Sequence, residues 1–384
     1  MKLRLSRSAA LPLSLTMLLV VCLHDSPSLE AYRTRQAAGP FAFSLLDWEA
    51  EQLLPRLGAL LGALRGELPR TSATDLETVR AYFQAPPTAR SSLRPEAEVA
   101  IGRLVTDAWR AERLATPSIL AGGEMTLFPP VSFAFTDPPQ ILIVSPRDRI
   151  EISQYVLLRP TPSPETVKLL EDGVGSRGWS TLVASVGGLA SYPAMVLRGA
   201  SAESTLAAVA HEWVHAYLFF QPLGQNYWAG QDMRTLNETA ADLAGNEIGN
   251  RLARQLDLPA GPVPREAVGP RGEPTSPDPR QREFNSLLRE TRLEVDRLLA
   301  LGAVQEAEDY MEQRRLELNG RGFSIRRLNQ AYFAFHGSYA EGPAGSSPLA
   351  SQVRSLRNRS ATLGDFLRAI AQVSHPAQLA NLGV

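Results

Sequence analysis

The sequence predicts an α+β fold, predominantly helical, with a small and mostly antiparallel sheet beside one buried helix. Three observations carry that expectation. Stretches toward both ends of the chain repeat their apolar residues at helical spacing. A central stretch, from about Met125 to Val196, changes to short β-branched or alternating runs bounded by Pro and Asp. Just after it comes an apolar run, TLAAVAHEWVHAYLFF, long enough for a helix and interrupted by two histidines.

Taken in order, the chain opens with MKLRLSRSAALPLSLTMLLVVCL, where Lys2, Arg4 and Arg7 precede an apolar core. Residues 1–24 therefore read as a secretory signal peptide or an uncleaved N-terminal membrane anchor. In either case the positive-inside rule places the body of the protein outside the cytosol: secreted, periplasmic or anchored with its working part facing outward. Cys22 is the only cysteine. Val21 before it is too large for the usual lipidation pattern, and removal of the segment leaves a chain without thiols. Residues 25–40 show no apolar periodicity and read as a tether. Residues 41–120 form a helical N-terminal region punctuated by prolines, with Leu and aromatic stripes that face a core.

Residues 121–258 form the central core, with the strands first and two helical runs after them. Residues 259–280, PAGPVPREAVGPRGEPTSPDPR, are a Pro- and Gly-rich surface loop, read as a linker with a lid as the alternative. A helical C-terminal lobe occupies residues 281–384. The formal net charge of −1 gives no electrostatic case for a nucleic-acid partner. Nearly every basic residue is Arg, and none clusters with interleaved aromatics.

The chemistry concentrates in His211-Glu212-Trp213-Val214-His215. Residues four apart on a helix project about 40° from one another, so His211 and His215 share a face one turn apart. Two neutral imidazoles so placed can bind one Zn²⁺, and Glu212 beside them can act as general base on a water at the metal. Ser201 caps this helix and Gln221-Pro222 ends it; Leu206, Val209, Val214 and Leu218 form its inner face. Trp213 either lines the pocket or belongs to the core. A third ligand is needed. The HExxHxxGxxH pattern would require Gly and His where Leu218 and Gln221 stand, so that class is excluded. Further on, RTLNETAADLAGNEIGNRLARQL reads as a second helix with Glu238 and Asp242 on one face and small residues between them.

HExxH followed by Asn237-Glu238-Thr239-Ala240-Ala241-Asp242 resembles the gluzincin metallopeptidases, the clan of thermolysin and the alanyl aminopeptidases. The resemblance covers roughly residues 201–250. It implies a zincin-like fold, Glu238 as the third zinc ligand and Asp242 as the acceptor for the outer nitrogen of His211. Asp232 and Asp242 stand as alternative ligands. It also implies that Gly187, Gly188 and Tyr192, on a strand before the active helix, line a cleft for an extended peptide. The aminopeptidase branch carries a Glu on that strand, and GGLASYP has none. The oxyanion formed in hydrolysis needs a donor, for which Tyr339, His336 and Tyr332 are candidates.

The expected function is zinc-dependent hydrolysis of a peptide or protein substrate outside the cytosol. The alternatives are a non-catalytic envelope protein with a structural zinc site, and a zinc hydrolase acting on a non-peptide amide or ester.

Overall fold

The computed structural model describes residues 29–118, 121–258, 279–337 and 348–382. The N-terminal segment, the Pro- and Gly-rich loop from 259 to 278 and Tyr339 lie outside them. Helices α1 (Leu29–Ala38), α2 (Leu45–Leu64), α3 (Ala73–Gln84) and α4 (Arg90–Ala111) come first. The ribbon β1 (Thr116–Pro117) and β2 (Met125–Thr126) precedes β3 (Phe133–Thr136), β4 (Gln140–Ser145) and β5 (Gln154–Leu158). Helix α5 (Pro164–Gly175) leads to β6 (Ser180–Ala184), β7 (Gly188–Leu189) and β8 (Ala194–Leu197). Then follow α6 (Ala202–Phe219), α7 (Pro222–Gln225), α8 (Gln231–Gln255), α9 (Pro279–Ala300) and α10 (Val304–Gly320). Last come α11 (Gln330–His336), α12 (Leu349–Arg359) and α13 (Leu363–Ala371). This is an α+β arrangement dominated by helix. Among the described residues no helix is long and apolar enough to cross a membrane.

The strands differ from the single, mostly antiparallel sheet expected. They form two three-stranded sheets and a two-stranded ribbon. The sheet β5-β4-β6 is antiparallel throughout. The sheet β3-β8-β7 is mixed, because β3 pairs with β8 in parallel and β7 with β8 antiparallel. Pairing partners are chosen by tertiary contact, and alternation within each strand does not reveal them. Residues 29–38 were read as part of a tether, yet they are helix, with Ala38 fully buried against Leu142, Val144 and Leu158. Charged residues dominate LEAYRTRQAA, so the small apolar contact made by Ala37 and Ala38 leaves no periodic signal.

The period of two along β4 sorts its side chains onto two faces. Leu142 and Val144 join the core shared with α1 and α5, and Ile143 joins Leu182, Ala331 and Phe335 under α11. The largest core gathers α3, α4, β3, β8, α6, α8, α12 and α13 around Ile101, Trp109, Leu206, Leu236, Val353 and Phe366. The C-terminal lobe is thus divided. Helices α12 and α13 pack with α6 and α8, whereas α9 and α10 close a separate core around Leu288, Val295 and Met311.

Candidate metal centre

Helix α6 begins where the sequence puts it. The Ser201 hydroxyl accepts the Ser204 amide and Glu203 sits in the first turn, a cap worth about 1 kcal/mol at the positive end of the helix dipole. Leu206, Val209, Val214 and Leu218 are all buried. Trp213 belongs to the core, stacked 4.7 Å from Trp109 with its Nε1 donating to the Pro129 carbonyl at 2.8 Å.

Helix α8 lies against α6 more closely than ordinary side chains permit. A Cβ on Gly249 would stand 2.6 Å from the Ala207 amide nitrogen, and one on Gly245 would stand 2.8 Å from both Ala207 O and His211 Cβ. The contacts run Ala207 to Gly249, His211 to Asp242 and His215 to Asn237, so the two helices are antiparallel.

That packing brings three donors together. His211, His215 and Glu238 each offer a ligand atom within 4.8 Å of the others, and all three are buried or nearly so. The two Nε2 atoms stand 2.9 Å apart, with Glu238 Oε2 at 3.7 Å from His211 Nε2 and 3.5 Å from His215 Nε2. The outer nitrogens are held as well. His211 Nδ1 donates to Asp242 Oδ1 at 3.0 Å, and His215 Nδ1 donates to Asn237 Oδ1 at 2.8 Å. A carboxylate only accepts, so Asp242 places the His211 proton on Nδ1 and leaves Nε2 as a lone pair. Two such lone pairs facing each other at 2.9 Å repel unless a proton or a metal ion lies between them. Tetrahedral coordination at ordinary Zn–N lengths would separate them by about 3.3 Å, close to what is found.

The charge balance agrees. Glu212, Glu238 and Asp242 are all buried here, and burying carboxylates costs several kcal/mol each without a compensating cation. Burial alone would push the His215 imidazole down, but the adjoining Glu238 carboxylate, with Glu212 behind it, lifts it to about 9. Burial would likewise raise Glu238, and the paired histidines bring it down to about 2. The pocket calls for positive charge, and its donor set of two imidazoles and one carboxylate suits a divalent transition metal.

Glu212 points away from the trio's supporting bonds, toward the edge strand β7. Gly188 on that strand has no room for a side chain, because a Cβ there would collide with Glu212 Oε1. Among the described residues no strand pairs with the other edge of β7, whose neighbour in the sheet is β8. Gly187 directs its carbonyl to the Leu197 amide, within the sheet. Tyr192 does not offer a free phenol to a cleft. Its hydroxyl donates to the Pro130 carbonyl at 3.0 Å and its amide to Glu49 Oε1 at 3.0 Å, which makes it the anchor of the turn before β8.

His336 ends α11 with its ring against Tyr332 and Phe335, and burial pushes its imidazole down to about 4. Among the described residues no hydrogen bond joins His336 or Tyr332 to the three donors. Asp232 is exposed in the first turn of α8 and outside the donor group.

Three features of the centre were not singled out from sequence. Asn237 orients His215. The Tyr227 hydroxyl donates to Glu238 Oε1 at 2.6 Å. Arg234 lies over the rings of Tyr227 and Trp228, its Cζ 5.6 and 5.1 Å from their centroids. Tyr227 lies in the connection before α8, where no pattern marks a side chain as pointing inward. Arg234 was foreseeable only as a residue one turn before Glu238. Compared with protein-family models, with curated proteins and with solved structures, the chain matches none.

Proposed function

We propose that the protein is a zinc-dependent hydrolase of gluzincin type with a zincin-like core, cleaving peptide bonds outside the cytosol. The observation that carries this reading is the convergence of the two Nε2 atoms with Glu238 Oε2, with Glu212 outside the donor set and facing the edge strand. Zinc held there would supply Lewis acidity and ease the deprotonation of the attacking water. Glu212 would accept a proton from the attacking water as the water's oxygen bonds to the acyl carbon, and would pass the proton to the amine as the C–N bond breaks. His211, His215 and Glu238 would hold the metal, and Asp242 and Asn237 keep both imidazoles in the required tautomer and orientation. The Tyr227 hydroxyl fixes Glu238 and stands close enough to the donors to join Tyr339 and His336 as a candidate for stabilising the oxyanion.

The donor group among the described residues has three members. That number suits a hydrolytic centre, whereas a structural zinc site takes four protein ligands. The N-terminal segment, positive and then apolar, supports a place outside the cytosol.

Glu212→Gln tests the reading, since it keeps the shape of the side chain and removes the base. The variant should bind one zinc per chain by metal analysis and lose at least about 100-fold in the rate at which a peptide library is digested. Cleavage at the wild-type rate, or a wild-type protein that neither holds zinc nor responds to chelator, would sink the assignment.

A further inference from the structure

Arg234 is a buried cation. It is 5% exposed, and among the described residues no carboxylate pairs with it. Its Nη1 donates to Gln231 Oε1 at 3.2 Å, and its Nε is buried with no acceptor. Tyr227 and Trp228 cover the guanidinium, and such faces do not replace the in-plane acceptors that a guanidinium wants. A buried charge left this way is costly, and a planar carboxylate is the ligand that fits its fork.

A second observation points to the same ligand. Helix α8 starts at Gly230, which has φ of +146° and supplies no side-chain cap. Gly230 therefore places no side-chain oxygen on the amides of the first turn, at the positive end of a 25-residue helix. Arg234 stands in the turn that follows them.

Position links this pair to the metal centre. Arg234 and Glu238 are four residues apart, about 6 Å along the axis and on one face. Both side chains meet Tyr227, Arg234 over its ring and Glu238 at its hydroxyl. In a peptide, the carbonyl carbon of the last amide and the terminal carboxylate are three bonds apart, about 3.5 Å. A terminal carboxylate on Arg234 would thus leave the last amide within reach of the donors. Beside it Trp228 and Tyr155 stack with centroids 5.2 Å apart and planes 10° apart, both rings 47% and 38% exposed respectively. They offer an apolar wall to the side chain of the residue that carries the carboxylate.

We propose that Arg234, at the positive end of α8, binds the free C-terminal carboxylate of the substrate, so that the centre releases the last residue of a chain. This rests on the hydrolase reading above, but the binding step is tested without it. Metal-free protein is titrated with N-acetyl-L-phenylalanine and with N-acetyl-L-phenylalaninamide, reading tryptophan emission. The acid should give a saturable change that the amide gives at least about tenfold more weakly. Trp228→Phe should remove the signal, and Arg234→Gln should abolish the preference for the acid. Arg234→Lys keeps the charge without the fork and should retain part of the preference, so a misfolded glutamine variant would not hide the result. Equal binding of acid and amide, or an acid preference unchanged in Arg234→Lys and Arg234→Gln, overturns the proposal. With zinc-loaded protein, a peptide with a free C-terminus should be cleaved at least about tenfold better in kcat/KM than its C-terminal amide. If neither is cleaved while the acid preference in binding persists, the hydrolase reading fails and the carboxylate site stands. Equal cleavage of both overturns the site.

Discussion

At His211 a carboxylate decides where the ring proton lies, and at His215 an amide does. Asp242 fixes the tautomer of its imidazole, and Asn237 orients the other without adding charge. Asn237 and Glu238 are sequence neighbours and project 100° apart, yet both reach His215, one at Nδ1 and the other at Nε2. That arrangement needs α6 seated between them. Asn237→Ala should therefore leave the three donors in place and lower zinc affinity by about 10–100-fold, measured by competition with a chromogenic chelator. An affinity within twofold of wild type would mean that the amide does not support the ring. The residue itself was visible in the Asn-Glu-x-x-x-Asp pattern, and so were His211, Glu212, His215, Glu238 and Asp242, because helical spacing predicts which side chains share a face. What spacing does not show is which neighbour a side chain meets across a helix pair. For that reason Asn237 had no role, Tyr227 went unmarked, and Tyr192, placed in the cleft by analogy, is instead bonded to Pro130.

Helices α6 and α8 are brought together by absent side chains as much as by present ones. Gly249 lies on Ala207, and Gly245 lies on Ala207 and His211, so each glycine sets the separation at which Glu238 meets the imidazoles. Replacing Gly249 by a larger residue sets two effects against each other. Removing a helical glycine gains up to about 1 kcal/mol of propensity, while overpacking a closed contact costs about 1–3 kcal/mol and more for a long side chain. For Gly249→Leu the second effect wins. The variant should unfold at lower denaturant concentration and bind zinc more weakly, because parting the helices draws Glu238 away from the histidines. A leucine variant with wild-type midpoint and zinc affinity would show that the helix contact does not tune the site. The limits of α6 were legible because cap and stop are local: Ser201 at one end, Pro222 at the other. The parallel pairing of β3 with β8 was not, since each residue of β3 stands 61 positions before its partner and neither strand's pattern names the other.

Across the whole molecule, the candidate metal centre belongs to one core and the α9–α10 hairpin to another. Leu206, Val209, Leu236 and Ile248 of the site's helices share their core with Val353, Leu356, Phe366 and Ile370. Leu288, Val295, Ala307, Met311 and Leu318 of the hairpin close on Ile325, Leu328 and Phe333 instead. A single helical lobe over 281–384 was the natural reading of sequence, because helical periodicity looks the same whichever core the apolar face joins. The division has a measurable consequence. A ligand that binds only the folded site stabilises it by RT ln(1 + [L]/Kd), about 4 kcal/mol at a thousand times Kd. Amides that exchange only when the α6–α8 core opens should then slow by up to about 1000-fold, and α12 and α13 should slow with α6 and α8 because they share that core. Amides of α9 and α10 can exchange by opening of their own core, with the metal still bound. Hydrogen exchange with and without zinc should therefore show protection spreading through α6, α8, α12 and α13 while the hairpin changes by less than about threefold. If the hairpin slowed in step with α8, the two cores would open as one unit, and the site would be coupled to the entire C-terminal half.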